Sequence, residues 1–518
     1  MIDCKTTKFR YLNLIPYVIV LASPFIACLI FFLYNGSSLF QYDAFYTKYN
    51  DELGYYHNIQ MIRNWWAPEG YTGYNEVLAP EHGYGPYNFI TYLPYVIFSF
   101  LTGVNSHNYV FYCNIIMTIL SLLVLVYFSK MSIPQSVATS IFLSTFLIAD
   151  YYIFSGMSEP AHIAFTITIF GLMIRLYKSA DNLKPKEERA IIWTVIILII
   201  IFGIIRPYQF VFIVFPLIYI FAKMKGKKKK YTIAVSTLVV FAFWFYFYSA
   251  NNYGSPYFIK FDSFSYYFDF IANGQISELL SVIVEKNINI LKIIKFIKTG
   301  SWEAAIILSL VCLQLLLMVH IVFQCKRKER NMFLFFNISL LLASIAICEA
   351  NILLYSSEQM VRMLLGIIIL IGLSLCVQIR GCYRFISFTP TLCISLAILL
   401  IANGTVFILP QDTGQYQPID DAIIRNEFET LMPLTDDHWD HTIAFEPPHL
   451  EFYMMYLFPS YLGLQCCFHE YLIENVNAHT LKSKYVWANE GSGLDKACQN
   501  AGLEKIWARN HWCIYATR

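Results

Sequence analysis

The chain has 518 residues, of which 57% are hydrophobic, 17% aromatic and only 14% charged, and its net charge is +2. Charge this sparse excludes an ordinary soluble domain, and the basic runs, of which Lys227 to Lys230 is the densest, flank apolar segments as topology signals do, which excludes a nucleic-acid-binding protein. What remains is a polytopic α-helical membrane protein.

A hydrocarbon core about 30 Å thick requires roughly 20 mostly apolar residues per helical crossing. Such runs occur at 11–34, 109–129, 136–154, 160–177, 190–205, 208–222, 231–250, 303–324, 332–354, 361–379 and 385–403, which predicts about eleven transmembrane helices. Basic residues at Lys5 to Arg10, Lys130, Lys178 to Arg189, Lys223 to Lys230, Lys326 to Arg330 and Arg380 to Arg384 fall on alternate loops, provided that Tyr87 to Gly103 does not cross. That shorter run carries Pro94 and many tyrosines and reads as an interfacial or re-entrant helix.

The basic loops then define the cytoplasmic side and place the N terminus there, behind an uncleaved anchor. The far side receives the first external loop, 35–88, the turn from Ser155 to Pro160, Arg206-Pro207-Tyr208, the segment 251–302, the turn from Ser356 to Arg362 and everything after Asn403. Residues 1–403 form the membrane core. The remainder, 404–518, loses its apolar runs, carries 15 acidic against 7 basic residues, and reads as a small α/β domain outside the cytoplasm. Its helix signals are at Asp420 to Leu431 and His449 to Leu457, and its strand-like stretches are Thr442 to Phe445, Lys484 to Trp487 and Cys513 to Tyr515.

The thirteen cysteines show no paired spacing of the kind a zinc module needs. Cys466, Cys467, Cys498 and Cys513 share the external domain, where an oxidising compartment permits one or two disulfides. Asp436-Asp437-His438-Trp439-Asp440-His441 has two histidines three apart, but acidic solvated loops produce such clusters without a metal. Trp439, Trp487, Trp507 and Trp512 offer aromatic faces on which a polysaccharide could stack.

Chemistry concentrates in the first external loop. Asp51-Glu52-Leu53-Gly54-Tyr55-Tyr56 sets two adjacent carboxylates among aromatics, and Leu53, Tyr56, Ile59 and Ile62 recur at helical spacing, which predicts an amphipathic helix lying on the membrane from near Asn50. Asp51 is equally suited to be the N-cap of that helix and Glu52 to meet its dipole. His57 follows five residues after Glu52, and Glu81 and His82 precede Gly83-Tyr84-Gly85-Pro86. Other polar groups fall on the same side of the membrane: Ser158-Glu159-Pro160 opens a helix, Arg206-Pro207 ends one, and Glu358 and Arg362 flank the start of another. No internal repeat and no ionisable group deep within a membrane run is evident, as a transporter would require.

These residues resemble the GT-C superfamily, multi-spanning glycosyltransferases that use polyprenyl-phosphate-linked sugars. The likeness rests on Asp51-Glu52 followed by Gly54-Tyr55-Tyr56, on Gly83 to Tyr87, and on Gly156-Met157-Ser158-Glu159-Pro160. The size, single large first loop and external C-terminal domain are most similar to bacterial serotype-converting glucosyltransferases that decorate O-antigen in the inner membrane, with the catalytic face and C terminus periplasmic. The resemblance implies Asp51 as catalytic base toward an acceptor hydroxyl, with Glu52 orienting the acceptor or sharing a divalent cation, magnesium or manganese. It implies Arg206 and Arg362 as neutralisers of the leaving lipid phosphate. Tyr55, His57, Glu81, His82, Glu159 and Glu358 complete the expected substrate-binding set, and Lys292, Lys295 and Lys298 would meet the lipid phosphate at the interface. The expected partners are a polyprenyl-phosphate sugar donor, a polysaccharide or lipid-linked glycan acceptor, and membrane lipids. Two alternatives share this setting: an O-antigen polymerase or ligase, and a lipid-linked sugar flippase.

Overall fold

The structure, a computed structural model, describes residues 14–34, 91–103, 109–179, 182–223, 264–295, 327–354, 360–378, 418–435, 438–446, 457–459, 461–467, 469–509 and 511–517, with parts of 55–63, 231–244 and 314–319. Its membrane core is helical. In chain order come α1 (Ser23–Tyr34), α2 (Leu93–Thr102), α3 (Tyr109–Ser129), α4 (Ile133–Thr145), α5 (Leu147–Ile153), α6 (Glu159–Lys178) and α7 (Pro185–Ile205). A 3-10 helix, Pro207–Ile213, leads into α8 (Val214–Lys223), followed by α9 (Phe264–Ala272), α10 (Ile276–Lys295), α11 (Arg327–Leu354) and α12 (Met360–Gln378).

Among the described residues, four helices are long and apolar enough to cross a membrane: Tyr109–Ser129, Glu159–Lys178, Pro185–Ile205 and Met332–Leu353. Each coincides with a run predicted from hydropathy. Leu14–Ile30, Leu93–Thr102, Tyr208–Lys223 and Leu364–Gln378 are shorter apolar helices, so eleven full crossings are not seen among the described residues. The run 136–154 is split at Phe146, whose ring stacks on Phe142 with centroids 5.5 Å apart. The runs 303–324 and 385–403 lie mostly or wholly outside the described residues.

Helix α6 is the hub, packing against α3, α7, α11 and α12 and buried almost all round. A Cβ at Gly171 would lie 2.8 Å from Leu125 Cα, so only glycine lets α3 and α6 approach this closely, as small residues do at membrane helix crossings. Lys178, in the last turn of α6, donates to the Ser129 carbonyl at 2.7 Å, a cation at the carboxyl end of α3. The two helices therefore run parallel, and both end beside the basic residues Lys130 and Lys178. Their other ends, carrying Tyr109 and Glu159, share the opposite pole.

The described residues between 55 and 63 do not lie flat on a surface. Tyr55, Tyr56, Ile59 and Ile62 are buried as the periodicity requires, but so are Asn58 and Gln60, each 1% exposed. Asn58 donates to the Tyr92 hydroxyl at 3.2 Å and Gln60 to the Tyr109 hydroxyl at 3.4 Å, so the polar positions between the apolar ones are also occupied by protein. This corrects the expectation of an amphipathic surface helix: partners at the starts of α2 and α3 draw in both faces.

The C-terminal part of the chain, from Pro418, is α/β. Strands β1 (Thr442–Phe445), β2 (Gly463–Cys466), β3 (Tyr485–Asn489), β4 (Glu504–Arg509) and β5 (Trp512–Ala516) form one sheet in the order β2-β1-β3-β5-β4. The first three are parallel, and β5 pairs antiparallel with β3 and β4. Helices α14 (His469–Ala478) and α15 (Gly493–Asn500) pack Leu472, Val476, Leu494 and Cys498 onto the face bearing Ala444, Val486, Cys513 and Tyr515. On the other face Phe428 of α13 (Pro418–Leu431) meets Trp507 edge-on at 4.8 Å, and Trp487 packs on Phe445 and Phe458. Trp487, Trp507 and Trp512 are thus core residues and offer no open stacking platform. Cys498 and Cys513 are free thiols, so no disulfide joins them, and the Cys466 side chain lies outside the described residues. His441 is buried with its Nε2 against the Thr435 amide and the Pro433 carbonyl.

Candidate functional site

Proline builds the site's two poles. Ser158 precedes α6, with Glu159 in its first turn and Pro160 among its first positions, where the missing proline N–H costs nothing and a carboxylate meets the positive helix end. Pro207 disfavours a helical residue before it, and Arg206 accordingly leaves α7 in extended geometry (φ −137°, ψ 111°) after a final 2.8 Å bond from its amide to the Phe202 carbonyl. The turn carries the guanidinium across to α6. Arg206 Nη2 donates to Glu159 Oε1 at 3.0 Å and to Ser158 Oγ at 3.2 Å, and both charged side chains are about 95% buried. The chain folds back so tightly that a Cβ on Gly203 would sit 2.4 Å from the Phe210 ring.

Glu159 lines a small open cavity together with His162, Ile163, Tyr208, Gln209, Phe212, Ile347, Leu365, Gly366 and Ile367. Its polar members gather on α6 and the 3-10 helix, and its apolar members come from α6, α11, α12 and the end of the 3-10 helix. Gln209 Nε2 lies 3.4 Å from His162 Nδ1, and Gln209 Oε1 is buried with no hydrogen-bond partner. A buried amide oxygen without a donor costs roughly 1–3 kcal/mol, a cost that an incoming N–H or O–H removes. The cavity therefore joins an ionic head, a hydrogen-bonding middle and a greasy wall, which suits an amphiphile.

A second network holds the turn before Glu159. Asn114 in α3 is wholly buried; it accepts from the Tyr95 hydroxyl at 2.9 Å and donates to the Ser155 carbonyl at 2.9 Å. Tyr95 belongs to α2, whose start carries Thr91 and Tyr92, and the Tyr55 and Tyr92 ring centroids are 6.2 Å apart. The Tyr95–Asn114–Ser155 bonds thus form a polar seam that ties α2 and α3 to the turn before Glu159, with Tyr55 packed at the start of α2.

With this geometry in place, two solved structures prove similar in fold. One is the apo oligosaccharyltransferase of Archaeoglobus fulgidus, with 11% identity over 92% of this chain and 69% of that one and a TM-score of 0.51. The other is the oligosaccharyltransferase AglB of the same organism in complex with an inhibitory peptide and a dolichol-phosphate, with 12% identity over 93% of this chain and 69% of that one and a TM-score of 0.50. At this identity the likeness is one of fold alone. By sequence alone, neither a family model nor a characterised relative matches the chain.

Of the residues singled out from the sequence, Glu159 and Arg206 meet directly. Tyr55 is buried beside Tyr92. Arg362 lies in the first turn of α12, but its side chain is outside the described residues, as are Asp51, Glu52, His57, Glu81, His82 and Glu358 altogether. Asn114, His162 and Gln209 were missed. Each is a polar residue inside an apolar run, which is itself a functional signal in a membrane protein. The runs were also read as free of deep ionisable groups, and this is corrected: Asp150 and His162 are 2% and 5% exposed within them.

Proposed function

We propose that this protein is a membrane glycosyltransferase that moves a hexosyl unit, glucosyl in the first instance, from a polyprenyl-phosphate donor to a surface glycan. The observation that carries the reading is the Glu159–Arg206 pair at the rim of an apolar-walled cavity, within a fold shared with an enzyme solved with dolichol-phosphate. In this reading Arg206 meets the donor phosphate, which competes with Glu159 for its forked donors. The isoprenoid chain runs along Phe212, Ile347, Leu365 and Ile367.

Asp51 serves as the base. It takes the proton of the acceptor hydroxyl as that oxygen bonds to the anomeric carbon, while the bond from that carbon to the phosphate oxygen breaks and its electrons leave with the lipid phosphate. Arg206, joined by Arg362, stabilises the charge that develops there. Support for the base is positional: Tyr55, four residues after Asp51, packs on Tyr92 at the start of α2, the helix whose Tyr95 bonds Asn114, and Asn114 holds the Ser155 carbonyl of the turn before Glu159. Glu52 orients the acceptor, and with Asp51 supplies the oxygen donors a divalent cation such as magnesium or manganese prefers. Glu81, His82, His57 and Glu358 remain acceptor-side candidates.

The acceptor we favour is O-antigen lipopolysaccharide at the periplasmic face of a bacterial inner membrane, with undecaprenyl phosphate as carrier. A peptide acceptor is the second reading, because the dolichol-phosphate-bound structure also holds an inhibitory peptide. Purified protein in nanodiscs, offered a panel of polyprenyl-phosphate and polyprenyl-diphosphate sugars with polysaccharide or peptide acceptors, tests both. Sugar transfer to polysaccharide from a monophosphate donor supports the first, glycopeptide formation the second, and turnover with none of the donors overturns both.

A further inference from the structure

We infer that α9 and α10 form a hairpin lying in the plane of the membrane, with one edge immersed in the lipid acyl boundary and another facing water. The inference is independent of the proposed reaction. It begins with the turn: Gly274 at φ +69° reverses the chain, and Gln275 N–H bonds to the Phe270 carbonyl at 2.8 Å, closing α9 and opening α10.

The hairpin is pinned at a defined depth. Both the Tyr267 hydroxyl, from α9, and Lys286 Nζ, from α10, donate to the Leu353 carbonyl, at 2.7 and 2.5 Å. Leu353 is the last residue of the membrane-length stretch Met332–Leu353 of α11, so its carbonyl marks the level at which a crossing helix leaves the hydrocarbon. One turn deeper, Asn287 donates to Glu349 at 2.8 Å and so satisfies a carboxylate that would otherwise border lipid.

Around its axis α10 divides into three faces. Leu279, Val282, Ile283, Lys286 and Asn287 are half-buried toward the protein, while Glu278, Ser281 and Glu285 are exposed. Ile276, Leu280, Val284 and Ile288, four residues apart each time, leave 49%, 56%, 54% and 45% of their surface open. This apolar stripe is displaced from the acidic edge by about a third of a turn, the arrangement of a helix half sunk at an interface. The same surface continues down α11, where Leu342 and Ile345 are exposed and Ile345 stands one turn from Glu349. Continuity with the lipid-facing wall of a crossing helix commits the stripe to lipid.

The test places a nitroxide at Leu280, Val284, Glu278 or Glu285 through a genetically encoded ketone side chain, leaving all thirteen native cysteines intact. The protein is held in phosphatidylcholine–phosphatidylglycerol nanodiscs. Labels at Leu280 and Val284 are expected to collide with oxygen and be shielded from a water-soluble nickel chelate, and labels at Glu278 and Glu285 to show the reverse. Equal nickel access at all four sites would place α10 in water and overturn the inference; shielding of Leu280 and Val284 from both reagents would show a second protein surface and overturn it equally. On the unmodified protein, a photoactivatable phosphatidylcholine carrying its diazirine near the headgroup should label the peptide 276–288, and no labelling there would contradict the immersion.

Discussion

Asn114, in the first third of a membrane-length helix, donates to the main-chain carbonyl of Ser155, 41 residues along the chain and 2.9 Å away. That bond ties α3 to the turn that delivers Ser158 and Glu159. Asn114→Leu leaves the Ser155 carbonyl and the Tyr95 hydroxyl buried without this partner, at a cost of about 1–3 kcal/mol for each group so stranded. The expected outcome is a lower thermal midpoint in detergent, together with loss of the donor-binding response described next. Unchanged values for both would mean that this seam does not position the site.

The Glu159–Arg206 pair makes an asymmetric prediction. Removing one partner from a buried ion pair costs roughly 3–5 kcal/mol, whereas replacing both with apolar residues of similar size is far milder. Arg206→Met and Glu159→Leu should each destabilise the protein more than the double variant does. The double variant, stable but without the guanidinium, should have lost affinity for polyprenyl phosphate by 10-fold or more in a binding titration. Retention of that affinity would remove Arg206 from the phosphate role.

Gln209 is predicted to act on substrate affinity alone. Its unpartnered buried oxygen gains nothing from the protein, and its amide makes only a long 3.4 Å contact with His162, so Gln209→Leu should leave the thermal midpoint nearly unchanged while raising the donor KM about 5- to 20-fold, the cost of losing one buried hydrogen bond of about 1–2 kcal/mol. A fall in stability with KM unchanged would make it a structural residue.

In the C-terminal domain, acid sensitivity should concentrate on Asp495. Burial alone raises its carboxyl, but bonds from the Tyr515 hydroxyl, the Gly491 amide, the Cys513 thiol and Gln499 outweigh it and hold the group well below the usual carboxylate range. A depressed folded-state pKa contributes stability above the unfolded value of about 3.9, and that contribution is lost as pH falls from there through the folded value. The gap in thermal midpoint between wild type and Asp495→Asn should be full at pH 7 and narrow by pH 3. Burial, the largest cause, and the bond to Asp495 push the Cys513 thiol up to about 12, so Cys513 should resist alkylation at pH 8 until the domain is unfolded.

Hydropathy located α3, α6, α7 and α11 within a few residues, because a helix in lipid must be apolar along its whole length and the signal accumulates over about 20 positions. Three strands were legible from β-branched and aromatic stretches, Thr442 to Phe445 most closely. β2, as Gly463-Leu464-Gln465-Cys466, and β4, which begins Glu504-Lys505, carry no such pattern and were missed. In the site, Glu159 and Arg206 stood out because proline flanks both. Asn114, His162 and Gln209 were hidden inside hydrophobic runs, where a single polar residue hardly changes the average. The membrane runs are not free of ionisable groups, because Asp150 and His162 are buried within them, so charge pattern does not separate a transferase from a transporter here.

Asp51 is the residue proposed to activate the acceptor. Wild-type protein and Asp51→Asn, reconstituted side by side in nanodiscs, would be given radiolabelled undecaprenyl-phosphate glucose and O-antigen polysaccharide, with donor binding and sugar transfer measured on the same samples. The expected result is equal donor binding with transfer reduced at least 100-fold in Asp51→Asn, the order of magnitude of losing a general base. Transfer by Asp51→Asn at the wild-type rate would contradict the account.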